Sequence, residues 1–195
     1  MAISRFSTSS VAQGLPKYQK LWDGTSVIVT NSYESIATVT GSTGTITFSS
    51  IPSTYKNLQI RMSAASTNGT VADAYIRFNS DSAGNYFCHQ VRGGGGSING
   101  QTYSYTTQNQ MVITSNIGQS GTMQNGAICD ILDYTNTSKN KTIRSFTGYD
   151  TNGGGEIILW SGAWNNTSAI NRIDITLSGG SFYSDSIFAL YGIKG

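Results

Sequence analysis

One histidine, two cysteines and two prolines in 195 residues leave this chain little equipment for covalent chemistry. Charge is scarce as well, since Asp, Glu, Lys and Arg together make up 11% and the formal net charge is +2. No Lys or Arg cluster forms a stripe able to neutralise several phosphates, which excludes nucleic acid as the main partner. No run of eighteen apolar residues is present, so no segment reads as a membrane-spanning helix. The opening MAISRFSTSS lacks the apolar core and cleavage pattern of a secretory signal. Cys88 and Cys129 stand far apart with no CxxC partner, which argues against a zinc site or a disulfide framework and for two buried, reduced thiols.

What is abundant is small and polar. Gly, Ser, Thr and Asn supply 88 of the 195 residues. Their side chains bond local backbone at turns and tolerate unusual dihedrals, but they make poor acids, bases or metal ligands. Twenty Ile and 21 aromatic residues still provide enough bulk to fill one core. A surface this poor in charge leans toward permanent contacts in an assembly, because isolated soluble domains carry more.

Two regions differ in texture. From Met1 to Gly24 there is neither alternation nor a helical stripe, yet Phe6, Leu15, Tyr18, Leu21 and Trp22 are present, and polar linkers do not carry such residues. We read residues 1–30 as an extended anchoring arm and expect Phe6, Leu15, Tyr18 and Trp22 to contact a partner. Residues 31–195 show short runs of period-two alternation separated by Gly, Asn, Ser and Asp, the pattern of half-buried strands joined by turns. Ile46 and Phe48; Leu58, Ile60 and Met62; and Ala74, Ile76 and Phe78 are expected inward, with Gln59, Arg61 and Arg77 outward. Further runs are Met111–Ile117, Ala127–Tyr134, Thr142–Phe146, Glu156–Trp160, Ile170–Leu177 and Ser186–Ile193. Only Ala169–Arg172 offers even a short helical turn. The expectation is an all-β, jelly-roll-like antiparallel sandwich of about ten strands behind an extended N-terminal arm.

Candidate chemistry is thin. Gly93–Gly96 lacks the Gly-Lys-Ser/Thr ending and the following helix of a phosphate cradle, so it reads as a flexible hairpin loop. In DTNGGGE, Asp150, Asn152 and Glu156 offer oxygens for calcium, but the spacing matches no established loop. His89 adjoins Cys88, and neighbours on a strand point to opposite faces, so they cannot act as base and nucleophile together. Asp130 and Asp133 are split by the same parity. Tyr103, Tyr105, Trp160 and Trp164 are the aromatic residues to test for glycan contact, since ring faces stack on sugars, with core or inter-subunit packing as their other use. No catalytic, metal-binding or cofactor-binding residue is assigned.

Several stretches taken together resemble small virion proteins of tailed bacteriophages, particularly phages of marine bacteria and cyanobacteria: MAISRFSTSSVAQGLPKYQKLWDG, SYESIATVT, FSSIPSTYKNLQIR, RFNSDSAGNY, DILDYTNTSKNKTIRSFTGYD and SIFALYGIKG. The likeness runs from the arm to the last residue. It implies a non-enzymatic structural protein of the virion, assembled in the bacterial host cytoplasm. Its expected place is a capsid decoration or a fibre or knob component of head or tail, and its expected partners are other virion proteins in a homotrimer. A glycan-binding host-recognition module of a tail fibre is the alternative. The resemblance carries no catalytic residue, no cofactor and no membrane insertion.

Overall fold

The computed structural model describes residues 21–22, 27–28, 32–68, 72–118, 124–150 and 154–195, with 21–22, 27–28, 101–107 and 116 described as backbone only. All regular structure among them is strand, without a helix. A two-residue pair, β1 (Leu21–Trp22) and β2 (Val27–Ile28), precedes β3 (Tyr33–Gly41), β4 (Thr45–Phe48), β5 (Asn57–Ala64) and β6 (Ala72–Phe78). Then come β7 (Tyr86–Gly94), β8 (Ser97–Gln108), β9 (Met111–Ile117), β10 (Asn125–Leu132), β11 (Lys141–Asp150), β12 (Gly155–Trp164), β13 (Ile173–Leu177) and β14 (Ser186–Ile193). The inward positions expected from β4, β5 and β6 are all buried.

The strands form an antiparallel sandwich. One sheet has eight strands in the order β3-β14-β5-β10-β11-β12-β7-β8, and the other has four in the order β4-β13-β6-β9. The pairs β3/β14, β5/β10, β4/β13 and β6/β9 are the nested pairs of a jelly roll. Two hairpins are inserted into that scheme, β7/β8 between β6 and β9 and β11/β12 between β10 and β13. Both extend the same sheet, which is why the sandwich is lopsided and has more strands than expected.

The turns follow from their residues. Gly95 and Gly96 have φ of 59° and 81°, and Gly94 pairs with Ser97, so the glycine run closes a tight hairpin that side chains would strain. Asp133, at φ 47°, turns the chain just past β10, so the strand ends two residues before Tyr134. No helical turn forms at Ala169–Arg172. Instead the Asn79 amide donates to the Ala169 carbonyl at 2.8 Å while its oxygen accepts from the Asn171 and Arg172 amides at 3.0 and 3.2 Å. This clamp holds the chain extended, and β13 begins only at Ile173.

One core lies between the sheets. Beneath the inserted hairpins it is aromatic: the rings of Phe78 and Trp164 are 5.5 Å apart, and Tyr86 stacks on Trp164 at 6.3 Å. At the opposite end Phe182 meets Phe188 edge-on at 4.7 Å. Each large side chain so buried contributes roughly 1.5–3 kcal/mol. Cys88 and Cys129 are buried thiols that form no disulfide, and burial pushes both above their usual pKa.

Candidate docking face on the eight-stranded sheet

Strand register places residues of the large sheet in transverse rows on its outer surface. Ile128 opposes Phe146, Phe146 opposes Leu159, and Leu159 opposes Val91, giving an unbroken apolar row across β10, β11, β12 and β7. These four side chains are 43%, 54%, 51% and 53% exposed. With strands about 4.8 Å apart, the row is roughly 14 Å long. The next row on the same face runs Gly126, Gly148, Ile157, Gly93 and Ile98. Here Ile157 and Ile98 stand 61% and 81% exposed between glycines. Among the described residues Ile187 and Tyr33 complete the exposed large hydrophobic side chains, and they too belong to strands of this sheet.

The row on the other side is polar: Tyr191, Gln59, Asp130, Arg144, Ser161 and His89 lie in register. Gln59 turns away from the core as alternation predicts, yet it is buried. It is tied between neighbours, donating to Asp130 Oδ1 at 2.7 Å and accepting from Arg61 Nε at 2.8 Å. The Arg61 guanidinium also lies 5.6 Å from the Tyr33 ring and 5.2 Å from the Tyr191 ring. The cation is therefore held by ring faces and an amide, in register with Ile128 at the end of the apolar row.

The four-stranded sheet has a different outer surface. Asp174 sits in register between Thr47 and Arg77, accepts from Thr47 Oγ1 at 2.6 Å, and is held by Arg172 Nε at 2.9 Å and Nη2 at 2.8 Å. Burial acts to raise the Asp174 pKa, but these hydrogen bonds outweigh it and hold the carboxyl below its usual value. The sandwich thus has one polar flank and one apolar flank.

At the edge of the apolar face, an open groove of about 400 Å³ lies between Gly93, Tyr149, Asp150 and Glu156. Glu156 is ion-paired with Arg92 there, and Asn152, the third residue of DTNGGGE with an oxygen on offer, lies outside the described residues. Among the described residues no group of three or more His, Cys, Asp and Glu could hold a metal.

The residues singled out from sequence are scattered by the fold. Trp160 and Trp164 are each 1% exposed, because their parity on β12 points them inward, so they serve the core and present no ring to a glycan. Tyr103 and Tyr105 belong to β8, Tyr103 opposite Cys88, and their side chains lie outside the described residues. Phe6, Leu15 and Tyr18 also lie outside them, while the backbone of Trp22 pairs with Val27. His89 is exposed on the outer face and Cys88 is buried, as parity requires.

Sequence reasoning passed over Val91, Ile128, Phe146, Ile157 and Leu159. A signal for part of this set was present: Ile157-Ile158-Leu159-Trp160 is apolar at four consecutive positions, which breaks alternation and marks a strand covered on both faces. Covering the apolar rows with another surface would remove their hydrocarbon from water. No family model matches the chain, and no curated protein matches it.

Proposed function

We propose that this chain is a non-enzymatic structural protein that holds a permanent position in a larger assembly, the virion of a tailed phage, as a capsid decoration or a fibre component of head or tail. The observation that carries the docking part is the apolar row Ile128, Phe146, Leu159 and Val91 on the outer surface of a rigid sheet. Contiguous exposed apolar patches beyond a few hundred Å² are rare on free-standing soluble proteins and mark interaction sites. A jelly roll suits such work, because a wide stiff sheet can present a flat face without rearranging. The virion as the place rests on the sequence resemblance. The segment 1–30 serves as a second anchor, through Phe6, Leu15, Tyr18 and Trp22.

The glycan-binding reading is weakened by the two tryptophans in the core and now rests on Tyr103 and Tyr105. The test is particle incorporation: the gene is replaced in the phage by versions carrying Leu159→Asp or lacking residues 1–24, and purified particles are quantified by mass spectrometry. Both versions should fold and be absent from particles. Normal incorporation of both would remove the assembly role.

A further inference from the structure

We infer that the apolar outer face of the eight-stranded sheet is a contact between two copies of this chain, packed face to face about a two-fold axis. The inference rests on the reading of this face as a permanent contact and names what covers it. Area is the first argument. A large side chain presents roughly 200 Å² when fully exposed, so Val91, Ile98, Ile128, Phe146, Ile157 and Leu159 at their observed exposures offer on the order of 700 Å². A standard interface takes about 800 Å² from each partner, so this one face, with the polar row at its rim, is large enough for a stable dimer.

Relief is the second argument. In the row beside the bulky one, Ile157 on β12 stands 61% exposed next to Gly148 on β11, which carries no side chain, so a two-fold axis between these strands lays Ile157 of one copy on Gly148 of the other. Ridges and hollows on one surface are what an isologous contact needs, since each copy must supply both. A two-fold axis along the strands between β11 and β12 lays Phe146 on Leu159 and Ile128 on Val91 of the second copy. It also sets Asp130 opposite His89 at the rim, so no like charges meet. Sheets packed this way sit about 10 Å apart with interdigitated side chains, as within the sandwich itself.

The test is sedimentation equilibrium of the full chain at micromolar concentration. The expected mass is twice the 20.8 kDa of one chain, and Phe146→Asp or Leu159→Asp should weaken association at least 100-fold while leaving the circular dichroism spectrum unchanged. Both side chains are half exposed, so the substitutions suit a folded monomer. If one of them fails to fold, Val91→Lys on β7 gives the same readout. A monomeric wild type overturns the inference, as does a dimer untouched by these variants. A trimer overturns it too, because a two-fold contact closes at two copies. Particle incorporation is scored on the same proteins. A monomeric wild type that still needs Leu159 for incorporation sinks the dimer alone, whereas a dimer whose variants incorporate normally upholds the dimer and sinks the structural reading of the face.

Discussion

Removing one carboxylate should loosen the base of the β7/β8 hairpin by an amount that can be worked out from its partners. Asp81 Oδ2 accepts from the indole Nε1 of Trp164 at 2.7 Å and from Asn85 Nδ2 at 2.9 Å, and Oδ1 accepts from the Ala83 amide at 2.9 Å. Trp164 is buried, so Asp81→Ala would strand its N–H, at about 1–3 kcal/mol for an unsatisfied donor. The Ala83 and Asn85 bonds are nearer solvent and add about 0.5–1 kcal/mol each. The expected loss is therefore about 2–5 kcal/mol, or roughly 4–20 °C in melting temperature for a chain of this size. Trp164→Phe removes the same bond from the other side, so a double-mutant cycle in urea should return a coupling of about 2 kcal/mol. Burial pushes the Asp81 pKa up, but the hydrogen bonds prevail and lower it. The coupling should accordingly be complete above the ordinary carboxylate pKa, near 4, and fade as pH falls through the lower folded value. A coupling under about 0.5 kcal/mol at pH 7 would refute the assignment of Asp81 as the partner that keeps this indole buried.

Two further outcomes are expected. Hydrogen bonds from Lys139 and Lys56 bring the Asp133 pKa down to about 2. Its contribution to stability is thus present above about pH 4 and lost as the solution is acidified toward pH 2, and Asp133→Asn should flatten that part of the acid unfolding curve. A slope identical to wild type would show that Asp133 does not carry the acid sensitivity. A Cβ at Gly192 would lie 2.3 Å from the Tyr55 ring, so Gly192→Ala should cost about 1–3 kcal/mol in chemical denaturation, and a neutral result would mean the ring moves aside freely.

Local features proved legible where one residue type decides them. Alternation at Leu58, Ile60 and Met62, or at Ala74, Ile76 and Phe78, needs only the two-residue period to separate core from exterior, and the Gly95-Gly96 turn needs only the freedom of glycine at positive φ. Partnerships across the chain were not legible. Nothing local indicates that Ile187 lies opposite Ser63 or that β12 pairs with β7, because many strands of similar texture would serve as partners. The apolar row was invisible for the same reason, since Val91, Ile128, Phe146 and Leu159 become one surface only once register is known. Trp160 and Trp164 carry both readings in the sequence, glycan contact and packing, because aromatic residues suit sugars and cores alike, and only their inward parity on β12 places them in the core.

The position of β14 bears on how the chain is made. This last strand lies between β3 and β5, and β14 is the sole partner of β3 among the described residues. During synthesis the first strand of the large sheet therefore waits for β14, and β5 has one partner only once β10 is made and its second only with β14. Pairings this distant in sequence close slowly. A chain interrupted before Ser186 would keep β3 and one edge of β5 unpaired, the kind of open strand edge to which other chains adhere.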